Sequence, residues 1–184
     1  MIEIVVGTDR PGSRSQLVAE WLLEKYKKIG VDAQIYNIAE AKLWNLRPEH
    51  YGEDKPESVV NGVERLLKAS GIHMIIPEYN GSMPGALKLF IDHWKFPDSF
   101  ERRPVCFVGL GGRFGGLRPV EHMQQIFGYR NAFIFPDRVF LCNVWNLVEN
   151  DKLMDETIDQ LLNKQIKDFS RFVAALKNDG LSPS

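Results

Sequence analysis

In Ile2-Glu3-Ile4-Val5-Val6-Gly7-Thr8-Asp9-Arg10-Pro11-Gly12-Ser13-Arg14-Ser15, a β-branched run closes on a glycine and a polar loop follows at once. Five mostly apolar residues bounded by glycine argue for a short buried strand. From Ser13 onward the period changes. Val18, Trp21, Leu22 and Ile29 recur at helical spacing, and Gly30 stands where a left-handed helix stop is favoured. Strand, glycine-bearing loop and helix form one unit, and the chain repeats that unit.

Asp32 to Ile38 alternates as a weaker strand, with Ala33 and Ile35 set against Gln34 and Tyr36. Residues 40–56 hold Pro48, Gly52 and Pro56 among charges and read as a long surface loop. A helix over Glu57 to Ala69 carries Val60, Val63, Leu66 and Leu67, and the strand Ile72 to Ile76 ends at Pro77. Gly85 to Trp94 is helical, with Pro84 suited to its first turn. Val105 to Val108 is a fourth strand, Val120 to Phe127 a short helix, and Ala132 to Leu141 a strand broken at Pro136. A last amphipathic helix runs from Ile158 to Leu176, leaving 176–184 as an expected flexible tail. Five near-continuous apolar strands alternating with helices imply an α/β sandwich on a parallel sheet. In such sheets ligands lie outside the carboxyl ends of the strands, so the loops after strands one, three and four carry the information.

With 184 residues the chain is read as one domain, 1–184, and its 44% hydrophobic and 26% charged content excludes disorder as a description of the whole. The 23 basic against 24 acidic residues leave a formal charge of −1, which offers no global field for nucleic acid or an anionic membrane. No apolar run approaches the roughly 18–20 residues needed to cross a bilayer. The strand-like start lacks a basic region and a cleavage signal, and the two cysteines, Cys106 and Cys142, sit in apolar runs as reduced buried thiols. These features imply a cytoplasmic protein.

The first loop offers hydroxyls, arginines and glycines at a helix N-terminus, a setting suited to an anion. Its spacing nearly spells a nucleotide-triphosphate P-loop. However, Ser13 stands where the lysine belongs and Arg14 where the magnesium-binding hydroxyl belongs, so a terminal phosphate monoester fits better. The competing reading makes Ser13 a simple helix cap and Arg10 a surface residue.

After the third strand comes Pro77-Glu78-Tyr79-Asn80-Gly81-Ser82-Met83-Pro84-Gly85-Ala86-Leu87-Lys88, followed by Ile91-Asp92-His93-Trp94. This stretch resembles the flavin-binding loop of the NAD(P)H-dependent FMN reductase family, which includes quinone, azo and chromate reductases. Its Pro-Glu-Tyr-Asn, Pro-Gly, Leu-Lys and Ile-Asp elements are all present, and His93 displaces the following tryptophan by one place. The first loop is similar to the same family's Gly-Ser-x-Arg-x-x-Ser-x-Asn, with Thr8 for the serine and Ser15 for the asparagine. The likeness covers roughly residues 2–175.

The resemblance implies a flavodoxin-like three-layer sandwich with five parallel strands in the order 2-1-3-4-5. It implies that Thr8, Arg10, Ser13, Arg14 and Ser15 hold an FMN phosphate. Pro77, Glu78, Tyr79, Asn80 and Gly81 would then lie against the isoalloxazine, largely through backbone groups. Gly109-Leu110-Gly111-Gly112-Arg113-Phe114-Gly115-Gly116 follows the fourth strand with the wrong glycine spacing for a dinucleotide fingerprint. In the family this loop closes over the flavin, which brings Gly109, Leu110, Gly111 and Gly112 near the ring. Arg113 reads either as a solvated cation or as a contact for a dinucleotide phosphate. Trp94, Phe96 and Trp145 read as a wall of the open flavin face, a subunit contact or plain core.

The histidines, His50, His73, His93 and His122, show no metal spacing. The implied activity is NADPH- or NADH-dependent hydride transfer through FMN to a quinone, flavin or similar small acceptor, in ping-pong order and with no obligatory side-chain acid or base. The alternative is an FMN-binding electron carrier or regulatory flavoprotein without NAD(P)H turnover. A homodimer or homotetramer is implied by the resemblance alone.

Overall fold

Strands β1 (Ile2–Val6), β3 (Gly71–Pro77) and β4 (Pro104–Leu110) are buried at every position. A strand with a helix layer on each face has no solvent side, which is why these segments read as continuous apolar runs rather than alternating ones. The edge strands β2 (Ala33–Asn37) and β5 (Phe133–Leu141) are only partly buried. The five pair in parallel in the order β2-β1-β3-β4-β5. The computed structural model describes residues 1–52, 54–149 and 152–183.

Side-chain alternation along each strand divides the core in two. Val5, Met74, Ile76 and Phe107 face the layer of α2 (Glu57–Leu67), α3 (Gly85–Asp92) and α4 (Leu117–Tyr129), meeting Val63, Phe90 and Phe127. Ile4, Val6, Ile75 and Val108 face α1 (Arg14–Lys28) and α5 (Glu156–Asn178), meeting Leu22 and Phe169. Among the described residues no helix is long and apolar enough to cross a membrane.

Four expectations change. Residues 40–56 are not a featureless loop: short 3₁₀ turns at Ile38–Ala41, Leu43–Asn45 and Pro48–Tyr51 pin Ile38, Ala41 and Leu43 into the core. Those apolar residues lie too far apart among charges to give a periodic signal, and position 53 lies outside the described residues. Strand β5 continues through Pro136, because its register to β4 jumps from Val105↔Ile134 to Phe107↔Arg138. The bulge takes up the proline's missing donor. Cys106 is buried as expected, but Cys142 is exposed just beyond β5. Finally, α5 extends to Asn178, so residues 176–178 are helical, and a small hairpin of β6 (Val148–Glu149) and β7 (Lys152–Leu153) precedes it.

Candidate functional site

A cavity of about 300 Å³ opens at the carboxyl end of the sheet, between the β1, β3, β4 and β5 loops. Larger surface hollows exist elsewhere, but this one alone among those described combines three of the loops singled out by sequence. Its floor comes from the first loop. Gly12 has φ +63°, and no atom lies within 4 Å of where a Cβ would stand, so the backbone there is open to a guest. Ser13 is the N-cap of α1, extended at φ −69° and ψ 144°, yet its side chain makes no capping bond. The hydroxyls of Ser13 and Ser15 are buried and lack any hydrogen-bond partner. Arg10 and Arg14 stand exposed at the rim, and the first turn of α1 contains no acidic residue.

Buried hydroxyls are normally satisfied, and leaving one unpaired costs about 1–3 kcal/mol. Two such groups lie beside the free N–H groups of a helix start and two guanidinium groups that form no ion pair among the described residues, an arrangement that could hold an anion. The donor set suits a phosphate monoester. Thr8 does not line the cavity. It is fully buried, its hydroxyl sharing a 2.9 Å hydrogen bond with Tyr79 Oη and accepting from the Arg10 amide at 3.3 Å. Its place is to fasten the first loop to the third.

The second wall is a tight reversal. Tyr79 and Ser82 exchange backbone hydrogen bonds of 2.9 and 3.0 Å, with Asn80 at φ 51° and Gly81 at φ 76° between them. Two successive left-handed residues define a type I′ turn, and the Asn-Gly pair is the sequence that adopts it at least cost. Among the described residues the Asn80 and Gly81 amides donate to no acceptor. Pro77, Glu78 and Tyr79 line the cavity, whereas Asn80 and Gly81 follow in the turn and do not line it. Glu78 is held twice: its amide donates to Leu110 O at 2.9 Å, and its carboxylate accepts from the Gly116 amide at 3.3 Å. That carboxylate therefore faces the positive end of α4 and ties the third loop to the fourth.

The fourth loop behaves differently from the expectation. Strand β4 continues through Leu110, so Gly109 is a strand residue, and a Cβ there would come within 2.8 Å of the Gly115 and Gly116 carbonyls. Its role is close packing; it does not line the cavity. Leu110 and Gly111 do line it, whereas Gly112 does not and stands against the Trp145 ring. The loop after β5 supplies the remaining wall. Asn143 and Val144 donate to the carbonyls of Gly112 and Gly111 at 2.9 and 3.2 Å, which brings Val144 and the exposed Trp145 to the cavity. Val144 was not singled out from the sequence. The end of β5 at Leu141 agrees with the sequence reading, but that reading looks for ligands only in the loops after the first, third and fourth strands, although the rule for strand carboxyl ends applies equally to this one.

A parallel 2-1-3-4-5 sheet with helices on both faces defines a flavodoxin-like α/β protein. The model of the NADPH-dependent FMN reductase family matches residues 1–146, and the chain belongs to that family. The FMN-dependent NADPH-azoreductase of Staphylococcus aureus is 27% identical over 128 residues, 67% of this chain and 66% of that protein. The chain thus aligns with just under two thirds of the length of that relative. Among solved structures, FerB, a flavoenzyme NAD(P)H:(acceptor) oxidoreductase from Paracoccus denitrificans, superposes with a TM-score of 0.74 at 17% identity, covering 95% of this chain and 97% of that one. An NADH:FMN oxidoreductase in apo form gives 0.66 at 19% identity, covering 91% and 87%.

Proposed function

We propose that the protein is an FMN-dependent NAD(P)H oxidoreductase that passes electrons to a quinone, flavin, azo compound or similar small acceptor. The observation that carries this reading is the pair of buried, unpartnered serine hydroxyls at the start of α1, facing a cavity whose other wall is the Tyr79–Ser82 turn. Ser13, Ser15, Arg10 and Arg14 would bind the cofactor's phosphate. The turn, with the free amides of Asn80 and Gly81, would lie along its ring, and Trp145 would cover the outer side. When bound, FMN supplies the two-electron chemistry, accepting a hydride and releasing the electrons again.

The residues bind, orient and exclude water. Backbone N–H groups directed at the ring edge stabilise negative charge there without reorganising, which is worth most in a site shielded from water. The Thr8–Tyr79 and Glu78–Gly116 hydrogen bonds keep these donors in place. Donor and acceptor take turns at one open face, so kinetics are ping-pong. The reading also carries a cytoplasmic setting and assembly as a homodimer or homotetramer.

The test is direct. Purified chain mixed with FMN is expected to bind it stoichiometrically at micromolar concentration, and the yellow complex to oxidise NADPH or NADH with a quinone present. Parallel double-reciprocal plots are expected when both substrates are varied. No uptake of FMN overturns the reading; uptake without dinucleotide oxidation replaces it with the carrier reading.

A further inference from the structure

Beside the Tyr79–Ser82 turn lies a second cationic cluster. The guanidinium carbons of Arg113 and Arg118 sit 5.4 and 5.6 Å from the centroid of the Phe114 ring, so one exposed aromatic gathers two like charges. Among the described residues neither guanidinium forms an ion pair. Arg118 also occupies the first turn of α4, where the helix presents positive charge and which holds no acidic residue of its own. For the helix alone, a cation in that first turn is unfavourable.

The cluster adjoins the proposed flavin wall. A Cβ at Gly81 would stand 3.4 Å from Arg118 Nη1, so that guanidinium lies against the turn. Ser82 Oγ and His122 Nδ1 are 2.9 Å apart, fastening the turn to the next turn of α4. The nearby Glu78 carboxylate is engaged at the Gly116 amide. Two unpaired guanidinium groups held by one ring, beside the place where a hydride donor must dock, suit a phosphate group, which accepts fork-shaped donors and cancels their repulsion.

We propose that Arg113 and Arg118 bind a phosphate of the nicotinamide dinucleotide, an inference that rests on the reductase reading. That phosphate is either the pyrophosphate common to both dinucleotides or the 2′-phosphate of NADPH. The test uses FMN-loaded wild type with R113A, R118A and R118K, measuring KM for NADPH and NADH and the Kd for FMN. KM rises at least tenfold in each alanine variant, R118K recovers part of the loss, and FMN affinity stays within twofold of wild type. A rise for NADPH alone assigns the 2′-phosphate, and an equal rise for both assigns the pyrophosphate. Wild-type KM also climbs more steeply with salt than that of either alanine variant. Unchanged KM values in R113A and R118A, with wild type turning over normally, overturn the inference and leave the reductase reading intact. A wild type that holds FMN but oxidises neither dinucleotide overturns both. If R118A fails to fold, R113A and R118K decide by the same criteria.

Discussion

Ser15 is 1% exposed, and its hydroxyl has no partner. A serine in the first turn of a helix is an ordinary thing, but a first-turn hydroxyl buried and unsatisfied lowers the stability of the empty protein. That cost makes the residue diagnostic, since a structural cap and a ligand contact respond to truncation with opposite signs. Ser15→Ala is expected to leave the FMN-free protein as stable as wild type or about 1 kcal/mol more stable in urea unfolding. The same change is expected to raise the Kd for FMN about tenfold in a fluorescence titration, equivalent to about 1.4 kcal/mol. A destabilised apoprotein with unchanged FMN affinity would show the hydroxyl to be part of the scaffold only.

At the scale of elements, the position of the β5 loop depends on a bond from the opposite layer. Gln165, on α5 and 1% exposed, donates from Nε2 to Phe107 O at 3.0 Å and to Asp137 O at 2.9 Å. These are the carbonyls on either side of the β4–β5 bulge, where the ladder skips Cys106. Gln165→Leu keeps the volume and removes both bonds, leaving Asp137 O with only the weak Cys106 thiol contact at 4.0 Å. The expected loss is roughly 2–4 kcal/mol, read as a lower urea midpoint at unchanged m-value. FMN affinity should fall with it, because the bulge sets where Val144 and Trp145 emerge. This bond also marks the limit of what the sequence discloses. The strand–loop–helix period, the Asn80-Gly81 turn and the receptor serines are local patterns, readable because turn chemistry and capping act over a few residues. The break at Pro136 is a bulge within one strand, accompanied by bonds from Gln165, far along the chain, and no local signal links the two. Likewise Gly109 fell within a glycine-rich string, and only packing separates the glycine that lets two backbones meet from those that border the cavity.

For the whole molecule, the buried polar centre of the sheet sets the response to acid. His73 lies in the middle of β3, completely buried, with Nδ1 2.9 Å from Tyr26 Oη and its ring edge-on to Tyr26 and Phe169. Burial pushes its pKa down to about 4, with the Gln165 amide working weakly in the other direction. Above pH ~6.5 the imidazole is neutral in both folded and unfolded chains and contributes no slope. Between pH ~6.5 and 4 the unfolded chain takes up a proton that the folded chain refuses, so stability falls as the medium becomes more acid. The loss is about 1.4 kcal/mol per pH unit, roughly 3 kcal/mol across the window, and it levels off below the folded value. His93, also held down by burial and then by Lys55, acts in the same direction. Glu3 acts in the opposite one, since burial raises its carboxyl despite the Arg65 and Gln34 hydrogen bonds. The comparison that isolates His73 is therefore between wild type and His73→Asn, which share both other groups. Urea midpoints from pH 7.5 to 4 are expected to drop more steeply in wild type, whatever the absolute stability of the variant. The imidazole resonance of wild-type His73 should not move until the pH nears 4. Parallel midpoint curves, or a resonance titrating near 6.5, would mean that the sheet centre admits a proton far more readily than its packing implies.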